Sequence, residues 1–486
     1  MVLIASTNAD RLALLCTIAA RLELSPLFTQ EILVLFLKEL RTLARLSLPI
    51  MVTQVSQMAM GTVDAIMAGH VGKVDLAGVG IGGSLFWPLM VLASGLLMSV
   101  TPTVSQLHGA DLGEKTGEVV RQALWLGLIG GVFGLFVLSF AGSIYQWWGV
   151  DPQAIPVAVD YLGYMSWGLL PVLGYFALRY LCDGMSFTRP AMIIAFSALL
   201  LKVPLNYLFV FGGPGIEAMG GAGCGVASAI VMTLELVAML WVVRVSRIRS
   251  SGFYDRFSWP DWSEVLRLAR LGLPIGLAIF FEMAIFAFVT LMIATMGAEV
   301  VAAHQIVGNI GALTFMIPLA LGMAASIRVG YNVGRGDYEA ARRSGLVALT
   351  LSLGVAFTCM LLLILLREPL VGLYSTDPQV LQLAASLVLF VAAFQLFDDI
   401  QVTSIGSLRG YKDTRFPMVT ALLSYWGIAV PVGYCLGFGK LGLPALGAHG
   451  FWAALTLGLA IAALVLFSRF QWLSRQPDRI AKFAFR

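Results

Sequence analysis

The chain writes one membrane segment twice. Residues 39–50 read ELRTLARLSLPI and residues 264–275 read EVLRLARLGLPI. The register then runs ungapped at an offset of 225 through Met67/Met292, Gly72/Gly297, Gly83/Gly308 and Gly109/Gly334 to Glu114/Glu339. Further on, Asp151-Pro152-Gln153 matches Asp377-Pro378-Gln379, Thr188-Arg189 matches Thr414-Arg415, and Pro204 matches Pro431. Such a chain folds as two copies of one unit, and membrane carriers built this way place their sites between the repeats and move one against the other.

The solvent of most of this chain is lipid. Hydrophobic residues make up 59% of it, charged residues 12%, and mean hydropathy is +0.88, against about 25% charged in soluble domains. Residues 346–366 carry no charge over 21 positions; at about 1.5 Å per residue this crosses a hydrocarbon core of roughly 30 Å. The net charge of +4 therefore says nothing about nucleic acid. Fifty-one glycines suit close helix packing in lipid.

Twelve apolar segments follow one another, centred near residues 56, 92, 130, 168, 199, 233, 280, 314, 353, 395, 426 and 458. They are too long for barrel strands and lack strict alternation, so helices are expected. Of 31 Lys and Arg, only Lys73, Arg367 and Lys440 fall on one side and Lys202 inside the fifth segment; the rest read as loops and termini on the other. The positive-inside rule then puts both termini in the cytoplasm. Each repeat holds an even number of helices, so both enter the membrane alike and are related by a pseudo-two-fold axis along its normal. The expected fold is all-α and polytopic, with two six-helix lobes at 39–245 and 264–472, a charged linker at 246–263 and a cytoplasmic tail at 473–486. Residues 1–38 are expected to be an interfacial or disordered extension, because Arg11, Arg21, Glu23 and Glu31 interrupt their apolar runs, which disfavours a cleaved signal peptide.

Several chemistries are disfavoured. Cys16, Cys182, Cys224, Cys359 and Cys435 stand singly and the four histidines lack ligand spacing, which fits packing rather than disulfides or zinc. Gly78, Gly80 and Gly83 spell GxGxxG without the strand and soluble βαβ unit that nucleotide binding needs. The spans show no nucleophile–base pair or HExxH motif, against a membrane-embedded enzyme. No cofactor and no obligatory protein partner is expected.

The informative residues are the acids inside apolar segments: Asp64, Glu282, Asp398 and Asp399. A carboxylate at mid-bilayer costs about 2.5–3.5 kcal/mol on insertion scales, so it is retained chiefly for a role. Glu282 lies 12 residues beyond Arg270 and Asp398 lies 11 before Arg409, about 18 and 16 Å deep. Two carboxyl groups sharing a dry pocket require a cation or a proton, which makes the pair a candidate ion site. Asp399 lies 100° around the helix and faces elsewhere. At the position of Glu282 the first repeat has Gln57, polar but uncharged. Asp64 and Asn206 reach similar depths, and Lys202, one turn before Asn206, is placed to neutralise Asp64 or to occupy a cation's place; Asp64 is expected with Glu282 and Asp398 among the cation-coupling residues. His304 and Gln305 fit a packed hydrogen-bonding pair. Phe86, Trp87, Tyr175, Phe281, Phe286, Phe288, Phe394 and Phe397 offer rings for a flat lipophilic cation.

TVDAIMAGH around Asp64, FFEMAIFAF around Glu282, AHQIVGN at His304, IRVGYNVGRGD, and FQLFDDIQVTSIGSLRGYKDTR around Asp398 resemble the multidrug and toxic compound extrusion (MATE) transporters of the NorM-type branch, over residues 37–472. The resemblance implies a twelve-helix exporter in the bacterial inner membrane that expels cationic drugs and dyes against Na⁺ or H⁺. It implies that Glu282 and Asp398 form a second-lobe cation site, that Asp64 and Asn206 form a first-lobe polar site, and that Cys224 lines the latter. Many relatives have Asn at Lys202 and Tyr at Phe394, so here a fixed cation replaces an amide and a hydroxyl ligand is lost. A flippase for lipid-linked glycans shares the architecture but would need several basic cavity residues, and a passive channel would show no coupling to an opposing ion.

Overall fold

A computed structural model describes residues 26–442 and 444–484. Among them are twelve long helices and no β-strand: α1 (Pro26–Val71), α2 (Lys73–Gly109), α3 (Gly113–Leu138), α4 in two pieces (Ile155–Ser166 and Leu169–Gly184), α5 (Arg189–Phe211), α6 (Ala222–Val245), α7 (Trp262–Ala294), α8 (Ala298–Gly334), α9 (Tyr338–Leu365), α10 (Pro378–Gly410), α11 (Arg415–Phe438) and α12 (Ala448–Leu473). Ten are long and apolar enough to cross a membrane; the others are α1, with 46 residues, and α4, whose pieces have 12 and 16. Residues 26–38, expected as an extension apart from the first lobe, instead continue α1 without a break. Residues 1–25 lie outside the described residues.

Local chemistry sets the ends. Asp337 accepts from Ala340 N at 2.9 Å, and Asp377 accepts from Gln379 N at 2.8 Å with Pro378 at the first helical position, so side chains satisfy otherwise unpaired amides. Gly212 and Gly439, which match at the same offset as Pro204/Pro431, end α5 and α11 with φ of +85° and +67°. A residue with a Cβ would be strained there.

In the first half α1 packs on α5 and α6 on α4 and α5; in the second α8 packs on α9 and α10 and α10 on α12, while α7 packs on α2 as well as on α11. The linker docks on α3, where Arg121 donates to the carbonyls of Gly252 and Phe253 at 2.7 and 2.9 Å and Glu118 accepts from Arg256 and Ser258 at 2.9 and 2.8 Å. The tail adds a short helix, Pro477–Ala484, whose Ile480 is buried with Phe470 and Leu473 of the second lobe.

The lobes meet at the end rich in Lys and Arg. A Cβ added to Gly109 would strike the backbone of Tyr331, and one added to Gly334 would strike the backbone of Gln106. Gly109 and Gly334 are repeat equivalents, and so are Gln106 and Tyr331, so contact i–j recurs as j–i, as a two-fold axis demands. Gln106 also donates across the junction to Gly410 O at 2.9 Å. Glu39 accepts a bidentate pair from Arg328 at 2.8 and 2.7 Å and a bond from Ser344 at 2.6 Å. Position 328 has Thr103 as its first-repeat counterpart, so only one side of the junction carries this ion pair. Backbone cannot yield as a flexible side chain can, and overpacking costs about 1–3 kcal/mol. Gly334→Val should therefore lower the melting temperature of the purified protein; an unchanged melt would mean that the lobes are not this close.

Candidate functional site

In the first lobe, Asp64 is 4% exposed near the outer end of α1. Its Oδ2 is 3.0 Å from Lys202 Nζ on α5, its Oδ1 accepts from Asn206 Nδ2 at 2.7 Å, and Ser228 Oγ on α6 donates to Oδ2 at 3.4 Å. Lys202 Nζ also donates to Ser228 Oγ at 2.5 Å, and Cys224 Sγ lies 3.8 Å from the Asp64 carbonyl. Lys202 and Asn206 are one turn apart and meet one carboxylate, as their spacing predicts. The result is a neutralised, hydrogen-bonded pair.

The second lobe is arranged differently. Glu282 on α7 is half-exposed, whereas Asp398 on α10 is 2% exposed with no hydrogen-bond partner for Oδ1. The two lie within range of each other's charge, and among the described residues neither makes an ion pair. The charge of Arg409 also reaches Glu282. Tyr425 Oη sits 3.3 Å from Glu282 Oε1 and 2.8 Å from Gln401 Oε1. Tyr425 belongs to a π-helical stretch of α11, Leu422–Ala429, a rare widening of the kind often seen at functional sites; Pro431, which cannot donate a backbone hydrogen, follows closely. One hydroxyl has one proton, so Tyr425 cannot donate to both acceptors. Either Glu282 is protonated and donates to Tyr425, or the Gln401 amide is turned and supplies the hydrogen. Asp399 points away, accepting from Ser352 Oγ and Gln395 Nε2, both at 2.7 Å.

The other expected residues divide. His304 Nε2 lies 3.0 Å from Thr290 Oγ1 and its ring packs on Trp452, with Nδ1 unpartnered. Phe394 packs edge-on against Phe286 and Trp452. Phe281, Phe288, Phe397 and Trp87 are half-buried. Phe86 and Tyr175, expected as cleft rings, are fully buried in the first-lobe core. Among the described residues, no group of three or more His, Cys, Asp or Glu could hold a metal.

One buried cluster was not expected. Arg179, counted with the loop residues in the sequence, is 2% exposed inside α4. Its Nη1 donates to Gln57 Oε1 at 3.2 Å and its Nη2 to Gln54 Oε1 at 2.7 Å, while its Nε lies 3.6 Å from Asp183 Oδ2. Glu235 on α6 is 4% exposed beside it. The signal existed: Glu235 is the only charge between Cys224 and Val243, the same pattern that marked Glu282.

A duplicated chain of twelve long helices, with acids set among the helices of its second half that make no ion pair among the described residues, fits a membrane carrier. The MatE family model matches residues 49–208 and 274–435, and the chain belongs to that family of multidrug efflux transporters. It is 38% identical over 449 residues to the "Multidrug resistance protein MdtK" of Photorhabdus laumondii, covering 92% of this chain and 98% of that one. It is 39% identical over 436 residues to the "Probable multidrug resistance protein NorM" of Shewanella oneidensis, covering 90% and 95%. Among solved structures, the eukaryotic MATE transporter AtDTX14 superposes with a TM-score of 0.83 at 20% identity over 92% of this chain and 100% of that one. A MATE family transporter in an outward-facing conformation superposes with a TM-score of 0.82 at 19% identity, over 92% and 97%.

Removing one partner of a buried ion pair strands the other, at a cost of about 3–5 kcal/mol. Lys202→Met should therefore destabilise the protein strongly, and adding Asp64→Asn should restore most of the loss. Thermal unfolding of the two single variants and the double variant measures this. Additive losses would show that the two charges do not compensate each other.

Proposed function

We propose that this transporter expels organic cations across the bacterial inner membrane in exchange for Na⁺ or H⁺, with both termini cytoplasmic and the lobes rocking about the site between them. Glu282 and Asp398 bind the coupling ion. The observation that carries this reading is the unmatched acid pair: two carboxyl groups without an ion-pair partner among the described residues, one partly exposed and one buried with an unpartnered oxygen. Such a pair takes up a proton or a monovalent cation readily, because either relieves the repulsion and the cost of burying charge.

Exchange follows from competition. A drug cation and the coupling ion are both favoured by the same negative charge, so filling the acids weakens drug binding, and emptying them on the other side restores it. The half-buried rings of Phe281, Phe286 and Phe394 give the drug apolar and cation–π contact. Asp64, already neutralised by Lys202, supplies polarity in the first lobe without competing for the coupling ion.

Vesicles holding the purified protein, monitored for ethidium under an imposed Na⁺ or pH gradient, test this. Glu282→Gln and Asp398→Asn should each abolish gradient-driven movement and leave ethidium binding insensitive to the ion. Wild-type efflux in either variant would overturn the assignment. The gradient that drives the wild type identifies the coupling ion. In the same assay Lys202→Asn should change Na⁺ and pH dependence, since Asp64 would lose its fixed counter-charge; an identical ion dependence would show Asp64 to be uncoupled.

A further inference from the structure

We propose that Glu235 holds a proton, forming a proton site inside the first lobe that is separate from the acids of the second. The buried polar groups of this lobe run as a ladder through α1, α4, α5 and α6. Asp64 is matched by Lys202 at 3.0 Å. Below it, Glu235 and Asp183 both lie in range of the charge of Arg179, and Lys202, already paired with Asp64, also reaches Glu235. Three carboxyl groups thus face two bases, and one negative charge is surplus. Among the described residues the hydroxyls of Tyr175 and Tyr180 also face Arg179, neutral and uncompensating.

The hydrogen bonds sharpen the count. Both terminal nitrogens of Arg179 serve the amides of Gln54 and Gln57. Its Nε has no hydrogen-bond partner, and neither do both oxygens of Asp183, Oε1 of Glu235 and the hydroxyl of Tyr175. The guanidinium therefore gives no hydrogen bond to either carboxyl group, and a buried carboxylate without donors is costly. Asp183 at least lies 3.6 Å from Arg179 Nε, whereas Glu235 makes no ion pair among the described residues. On its other side Glu235 borders a groove of about 470 Å³ between α5 and α6, walled by Ala198, Leu201, Val231, Leu234 and Ala238. A charge there faces hydrocarbon. A metal cation would be repelled by Arg179 and would find few oxygens; a proton removes the surplus charge outright.

The site has a readout at the cleft. Gln57 occupies the position that Glu282 fills in the second repeat, and Arg179 holds it. When Glu235 loses its proton, its new charge competes for the guanidinium, which then leaves Gln54 and Gln57. Protonation of Glu235 thereby fixes the polar wall that α1 presents to the cleft.

Infrared difference spectra of the full-length protein in lipid vesicles, recorded between neutral and alkaline buffer, test this without transport. The wild type should show a carboxylic-acid C=O band that disappears on raising pH. Glu235→Gln should lose that band, while Asp183→Asn, Glu282→Gln and Asp398→Asn keep it. Because Gln is isosteric with the protonated acid, Glu235→Gln should also keep the wild-type melting temperature at neutral pH. A band retained in Glu235→Gln, a band lost only in Asp183→Asn, or a Glu235→Gln protein that fails to fold would overturn the proposal. Failure of the second-lobe ion assignment would leave this band untouched, so the two readings stand or fall separately.

Discussion

Charge placed in hydrocarbon must be matched, and that constraint organises this molecule. Insertion of one unpaired acid costs about 2.5–3.5 kcal/mol, a large share of the 5–15 kcal/mol that holds a typical domain. Asp64 meets it with Lys202, Asn206 and Ser228 drawn from two other helices. Asp399 meets it with two neutral donors. Glu282 and Asp398 make no ion pair among the described residues, and in the proposed mechanism that shortfall is what an arriving ion relieves. A carrier needs such a deficit somewhere, because a fully satisfied site has no reason to load and unload.

The duplication sets the frame around that deficit. Two copies entering the membrane in the same sense face each other across a two-fold axis, and the reciprocal contacts of Gly109 with Tyr331 and Gly334 with Gln106 show that axis at the basic end. Small residues there bring backbones together, as lipid-embedded helices require. Symmetry then ends. Glu39 pairs with Arg328 on one side, while the equivalent pair on the other would be Glu264 with Thr103. Gln57 held by Arg179 stands where the second lobe has Glu282 beside Tyr425. One lobe has balanced most of its charge internally and the other has left it open.

Much of this was legible in the sequence, and the rest was hidden for identifiable reasons. Twelve spans, two lobes and the pairing of Lys202 with Asp64 follow from hydropathy, an unbroken repeat and helical spacing, because each is a one-dimensional property of the chain. The deflection of Asp399 from Asp398 followed from 100° of helix rotation. Tyr425 was missed because a π-helical turn changes which face a residue presents, and no period of 3.6 residues predicts that. Arg179 was missed for the opposite reason: it lies ten residues before Arg189 near the basic end, so depth counted along the chain placed it with the loops, while α4 carries it into the lobe. Phe86 and Tyr175 were misplaced because aromaticity alone does not tell a core ring from a cleft ring.

The asymmetry bears on how two packed lobes can move. The contacts that join them are close at the basic end and include one ion pair whose partners come from different lobes, Glu39 on α1 and Arg328 on α8. Opening that end must separate this pair, and Ser344 from α9 must release Glu39 as well. Arg328 keeps some exposure, while Glu39 and Ser344 are buried, so separating them uncovers polar groups that water must then solvate. The buried pair of Asp64 and Lys202, by contrast, is bonded within the first lobe. In the proposed rocking, the contacts that must part lie at this junction, while the buried Asp64–Lys202 pair moves intact with its lobe.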